Sequence, residues 1–285
     1  VKMNPRRASK DLVRPAGPVD PGLSVLSVQH ADGRPLAVLA NYSIHYVGGY
    51  ARGHASADYF AVFAGRIGQL LGADKRFVGI MSNGTSGDIG AGTDFRKPRQ
   101  KRYPAWARMK EVGEDLAAEA LRIIKRIEHR GSLSLAMAEK DIELGVRRPD
   151  PERLEWARQI LAHPETKHRH GWTPIYAREA IHLSKYPATV PVKLQAVRIG
   201  ELGIAAIPNE VFAETGLAIK KASPLRPTFN MELANAYYGY LPTPEQHELG
   251  GYETWPARSS CLEVNAETKI RQTALELLGE VAAKD

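Results

Sequence analysis

The chain has 285 residues, 43% of them hydrophobic and 25% charged, with 39 Lys and Arg against 32 Asp and Glu for a net charge of +7. That apolar share excludes a disordered polymer, while apolar stretches as short as 36–39 and 204–207 exclude a membrane-spanning helix. A single cysteine, Cys261, excludes an internal disulfide and a cysteine-based zinc cluster.

The opening, Val1-Lys2-Met3-Asn4-Pro5-Arg6-Arg7, lacks the apolar core of a signal peptide and does not begin with Met. Residues 14–21 are rich in proline and read as an extended connector, so we expect a chain whose N-terminal part is missing. Residues 23–29 and 36–46 read as strands, joined by the turn Asp32-Gly33-Arg34-Pro35 into a hairpin. Residues 57–71 place Phe60, Phe63, Ile67, Leu70 and Leu71 at helical spacing. A short buried strand at 77–81 leads into a glycine-rich loop at 83–93. Residues 105–127 form an amphipathic helix with Met109, Val112, Leu116, Ala120, Ile123 and Ile127 on one face. Residues 133–146 read as one long strand or a pair, and 151–161 and 175–183 as helices. The polar linker Lys167-His168-Arg169-His170-Gly171 separates those helices. A second hairpin, 190–199 with 203–207, turns at Gly200-Glu201. A helix over 210–221 starts after Pro208-Asn209, followed by a strand at 228–233, a long aromatic loop at 235–258 and a closing helix at 268–282. Strands interleave with helices, which predicts an α/β (mixed α+β) fold, a mixed sheet flanked by helices. No composition break divides residues 1–285, and we expect a single domain.

Reactive side chains fall where regular elements end, the usual place for sites. His45 closes a buried strand, Glu210 opens a helix, and Tyr237, Tyr238, Tyr240 and Tyr252 lie in the long loop. A histidine, a carboxylate and a phenolate together are able to ligate zinc. Each has a plainer reading: a hydrogen-bonded core histidine, a first-turn acid favoured by the helix dipole, and packing tyrosines. His163, His168 and His170 sit among Lys167 and Arg169, where a solvated loop competes with metal binding. The basic run from Arg96 to Tyr103 reads as a solvated connector, a rim for an anionic substrate, or, least favoured, a nucleic-acid contact. His54 is read as a residue of the pocket rim.

Four stretches, in order, resemble the catalytic domain of the neutral/alkaline non-lysosomal ceramidases. They are Gly33-Arg34-Pro35 with Asn41-Tyr42-Ser43-Ile44-His45; Ser82-Asn83-Gly84-Thr85-Ser86-Gly87-Asp88-Ile89-Gly90; Ile207-Pro208-Asn209-Glu210-Val211-Phe212; and Asn235-Ala236-Tyr237-Tyr238-Gly239-Tyr240-Leu241-Pro242-Thr243 with Tyr252-Glu253. The resemblance implies a ceramidase-like catalytic domain, incomplete at its N-terminus and without the family's immunoglobulin-like domain. It implies hydrolysis of the N-acyl amide bond of a small or lipid-like substrate, possessing Zn2+ as cofactor, in a secreted or periplasmic setting. It assigns His45, Glu210 and Tyr240 as zinc ligands, with a further family histidine having no counterpart before residue 30. It assigns Tyr252 to the oxyanion, and Asn83, Gly87, Asp88 and Gly90 to the substrate pocket. Where the family carries its catalytic serine, this chain has Gly90, so the resemblance leaves attack by zinc-activated water. The competing expectation is a descendant that binds a ligand without turnover. No nucleic-acid partner is expected.

Overall fold

The computed structural model describes residues 4–50, 53–91, 95–98, 103–163, 166 and 171–284. Gly92, His168, His170 and residues 99–102 of the basic run lie outside them.

Strands β1 (Ser24–Gln29) and β2 (Pro35–Tyr42) pair antiparallel about Gly33, whose φ of +83° suits a glycine. The chain then crosses through helix α1 (Asp58–Leu70) to strand β3 (Val78–Asn83), which lies parallel to β2. Helix α2 (Ala107–Ile124) packs against α1. Of the face predicted for it, Met109, Val112, Leu116 and Ala120 are buried with Tyr59, Phe63 and Ile67 of α1 over Val38, Ala40 and Met81 of the sheet, while Ile123 is half-buried and Ile127 lies beyond the helix end. Burying each of the larger of these side chains contributes roughly 1.5–3 kcal/mol.

Strand β4 (Leu135–Gly145) is one long strand, followed by helices α3 (Pro151–Ala162) and α4 (Thr173–Leu183). These two helices share a small core of Ala157, Ala177 and Ala180. Strands β5 (Thr189–Ile199) and β6 (Leu202–Ala206) form the expected hairpin. Strand β7 (Glu210–Val211) and helix α5 (Ala213–Ala222) then lead to β8 (Thr228–Met231), parallel to β6, giving a sheet of order β4-β5-β6-β8. Strand β9 (Tyr240–Leu241), helix α6 (Pro244–Leu249) and a 3-10 turn at Tyr252–Thr254 precede helix α7 (Ala266–Ala282). Ile270, Ala274, Leu277 and Leu278 of α7 bury Val192, Leu194, Ala196 and Ala205 of the sheet. The fold is thus mixed α/β, with sheets flanked by helices. Among the described residues no helix is long and apolar enough to cross a membrane.

Four local expectations change. The second strand ends at Tyr42, so His45 lies in the irregular segment beyond it. Glu210 does not open a helix: it sits in β7, and the helix begins three residues later at Ala213. The loop 235–258 contains β9, α6 and the 3-10 turn. The connector 14–21 is tied down: buried Asp20 pairs with Lys220 of α5 at 2.5 Å, and Gln246 Nε2 donates to Ala16 O at 3.1 Å. The two sheets meet where Asn41 Nδ2 donates to Asn230 O at 2.9 Å and Glu232 N donates to Asn83 O at 3.1 Å. That junction carries the reactive side chains.

Candidate active site

Glu210 is held by its backbone. Its N–H donates to Gly239 O at 2.9 Å, and β7 runs parallel to β9 with Glu210 opposite Tyr240. Two glycines make this crossing possible. A Cβ on Gly87 would lie 2.4 Å from Glu210 O, and one on Gly239, at φ +77°, would lie 2.2 Å from the Ser259 backbone. Neither position has room for a side chain, which is a reason for glycine there beyond backbone freedom.

The side chains converge above this crossing. His45 Nε2 lies 3.6 Å from Glu210 Oε2, and the His45 backbone N–H is anchored on Ile89 O at 2.9 Å. Tyr237 donates its hydroxyl to Glu210 Oε1 at 2.8 Å. Tyr240 and Tyr252 share a hydroxyl–hydroxyl hydrogen bond of 3.2 Å, with their rings edge to face. Trp172 stacks nearly parallel on Tyr252, at 7° and 6.5 Å between centroids. Burial, the bond to Tyr252 and the charge of Glu210 push the Tyr240 phenol well above the ordinary tyrosine range. Burial likewise raises Tyr252, and burial with the bond to Glu210 raises Tyr237. All three are therefore neutral hydrogen-bond donors at pH 7.

Beneath them lies a second carboxylate. Glu232 is buried and gathers donors from three segments: Asn83 Nδ2 at 2.7 Å and Ser86 Oγ at 2.5 Å on Oε1, and Ser86 N at 3.0 Å and Val211 N at 2.8 Å on Oε2. Burial pushes its carboxyl up to about 8, against the pull of the Ser86 and Val211 donors and with added repulsion from Glu210. Val211 follows Glu210 directly, so Glu232 fixes the peptide that carries the upper carboxylate.

The predicted residues divide accordingly. His45 and Glu210 face each other, and Tyr240 and Tyr252 stand together in β9 and the 3-10 turn. Asn83, Gly87 and Asp88, expected at the substrate, also bond to the frame. Asn83 donates to Glu232, and Gly87 N donates to Val211 O at 2.8 Å. Asp88 accepts from Ala213 N at 2.8 Å, which makes it the acid at the start of α5, the role expected of Glu210. Burial raises the Asp88 carboxyl to about 6, against the pull of that Ala213 bond. Gly90 is half-buried, one residue beyond the Ile89 anchor of His45. His54 packs edge-on to Trp106 at 5.7 Å. Sequence reasoning missed Glu232 and the specific part of Tyr237. The signal for the first was a lone acid, Met231-Glu232-Leu233, between two apolar residues at the end of a strand.

Among the described residues no group of three or more His, Cys, Asp and Glu side chains gathers to hold a metal. The donors present are an imidazole, a carboxylate and phenols, a nitrogen and oxygen set that suits zinc. The 3.6 Å between His45 Nε2 and Glu210 Oε2 is too long for a hydrogen bond. It is close to the ~3.3 Å between two donors each ~2.0 Å from one tetrahedral ion. His45 Nδ1 is buried and has no partner among the described residues. The residues fit a zinc ion through His45 and Glu210, with Tyr240 the neighbouring phenol.

No family model and no curated protein matches the sequence. Solved structures do. The crystal structure of neutral ceramidase from Pseudomonas aeruginosa superposes with a TM-score of 0.62 at 17% identity, over 91% of this chain and 46% of that one. A ceramidase complexed with C2 gives a TM-score of 0.65 at 17% identity, over 96% of this chain and 51% of that one. The chain spans about half the length of these proteins, and over nearly all of its own length it has the ceramidase fold.

Proposed function

We propose that the chain carries a zinc-dependent hydrolase of an N-acyl amide bond, ceramidase-like in its chemistry. The observation that carries the reading is the pairing of His45 Nε2 with Glu210 Oε2 at 3.6 Å beneath three tyrosine hydroxyls, on a fold shared with ceramidases. His45, Glu210 and Tyr240 would hold the metal. Bound there, zinc would polarise a carbonyl oxygen and lower the pKa of water.

The protein's own groups supply the rest. Tyr237 donates to Oε1 of Glu210 and leaves Oε2 turned towards His45. Neutral Tyr252, stacked on Trp172 and bonded to Tyr240, presents a hydroxyl donor for the oxygen that gains charge when an amide carbonyl is attacked. The glycine-rich loop brings no nucleophilic hydroxyl from its described residues. Ser86 is fully buried on Glu232, Thr85 is buried, and position 90 is glycine. Water is then the attacking group, and a serine at position 90 is not required.

The test is zinc content by elemental analysis beside hydrolysis of a panel of N-acyl substrates, with and without chelator, for the wild type and Glu210→Ala. The expected result is chelator-sensitive hydrolysis with stoichiometric zinc, both lost in Glu210→Ala. Zinc binding without hydrolysis of any substrate would favour a descendant that binds without turnover. Hydrolysis indifferent to chelator and to Glu210→Ala would overturn the reading.

A further inference from the structure

A second concentration of unspent charge lies away from His45 and Glu210. At the base of the α3–α4 hairpin a cleft of about 280 Å³ is walled by Arg147, Arg148 and Arg153, with Asp150, Leu183 and Pro256 among its other residues. None of the three arginines makes an ion pair with a carboxylate among the described residues. Arg147 donates to backbone oxygens instead, from Nη1 to Thr254 O at 2.7 Å and from Nη2 to Ser260 O at 2.6 Å, with Ser260 Oγ at 2.7 Å. Its Nε is buried and unpartnered. Arg148 reaches Ser184 O at a long 3.4 Å. Arg153 lays its guanidinium over the Trp156 ring at 3.5 Å, which engages its face and leaves its in-plane N–H groups to bond elsewhere.

The acid in the cleft does not neutralise them. Asp150 Oδ1 is committed to Arg153 N at 2.7 Å, where it caps α3. Three guanidiniums against one carboxylate leave a charge of +2 in a concave, partly apolar site. Burial, with no carboxylate beside it, pulls the Arg147 guanidinium down to about 10, and burial together with the Arg147 charge pulls His247 down to about 4. A buried charge lacking a partner is costly, and a bound anion relieves the cost.

We propose that this cleft binds a phosphate monoester. Exposed Arg148 and Arg153, backed by the charge of Arg147, match a phosphoryl group, whose three oxygens accept more N–H donors than a carboxylate can. Leu183 and Pro256 give the carbon side of the ester an apolar wall. The site shares no residue with His45, Glu210, Tyr240 or Tyr252, and it stands whether or not the hydrolase reading does.

The experiment is calorimetric titration of the whole chain with glycerol 1-phosphate, and separately with inorganic phosphate, at an ionic strength fixed with KCl. Saturable 1:1 binding of the ester is expected. Arg148→Gln combined with Arg153→Gln should weaken it at least about tenfold, while far-UV circular dichroism and Tm stay unchanged, since both side chains are exposed. Arg147 is left intact because it braces the 254–260 loop. Tighter binding of inorganic phosphate than of the ester would keep the oxyanion site and assign free phosphate as its source. The absence of saturable heat with either ligand, or equal affinity in the double variant, would overturn the proposal.

Discussion

Two neighbouring carboxylates, Glu210 and Glu232, have opposite surroundings. Glu232 is sealed in with four donors on its two oxygens. Glu210 receives one hydroxyl, from Tyr237, and faces an imidazole at more than hydrogen-bond distance. The lower group is satisfied and ties three segments together, while the upper one retains bonding capacity opposite His45 Nε2. The difference separates building from working. A carboxyl group with both oxygens engaged holds structure, and one with capacity to spare is free to take a ligand.

The sharpest way to break this comparison is to delete each acid. Glu232→Ala strands the Asn83, Ser86 and Val211 donors in a dry interior at ~1–3 kcal/mol each, so a loss of about 4 kcal/mol is expected. Glu210→Ala should cost under about 1 kcal/mol in metal-free protein. Urea unfolding of both variants decides it, and equal losses would erase the distinction between frame and working group.

The next effect is on rate. Tyr252→Phe should lower kcat by roughly two orders of magnitude, about 3 kcal/mol, with zinc content kept. A fall in zinc occupancy to match the fall in rate would make Tyr252 a metal-site residue instead.

Acidity sharpens the contrast further. Glu232 is held near 8 from an unfolded value of 4.5, so the folded state binds the extra proton. Its contribution is full below about 4.5 and is lost as pH rises through 8. Asp88, near 6 from 3.8, acts with the same sign at lower pH. His247, near 4 from 6.5, acts oppositely, and its contribution is lost as pH falls below 6.5. Between pH 6.5 and 8 the Glu232 contribution dominates among these three. Metal-free protein should lose stability across that window, and Glu232→Gln should flatten the slope. A wild-type curve that rises there would show Glu232 ionised.

The smallest expected effect is that of Tyr237→Phe. The residue is 54% exposed and gives one hydrogen bond, so stability should change by less than about 1 kcal/mol. The affinity for zinc should nonetheless fall several-fold, because Glu210 loses the partner that orients it. Unchanged affinity would remove Tyr237 from the site.

Much of this arrangement was legible in the residue order. Period-two hydrophobic runs marked the hairpins, and Met109, Val112, Leu116 and Ala120 marked the buried face of α2, because burial imposes those periods directly. The meeting of His45 with Glu210 was approached through motif order, since 165 residues separate them and no local period reports such a distance. Glu210 was misplaced onto a helix because the apolar pattern of 211–221 continues smoothly backwards. Its strand is two residues long, and its pairing is fixed by Gly239, far away in sequence. Glu232 was invisible for a related reason: its meaning lies in donors from residues 83, 86 and 211, and a lone acid in a strand declares none of them.

The α3–α4 hairpin carries a consequence for hydrogen exchange. Its fully buried core is three alanines, with Trp156, Ile160, Leu161 and Ile181 only partly buried against them, against the long aliphatic seam beneath α7. A bidentate ion pair from Arg258 to Glu179, at 2.7 and 3.0 Å, fastens it to the body, beside the ring contacts of Trp172 and Tyr176. So small a core predicts a separate cooperative unit, whose amides should exchange through openings well below global unfolding while those of α7 wait for the whole molecule. Trp172 would depart with each such opening, and the wall over Tyr252 would then be renewed on the timescale of a local excursion and not on that of the fold.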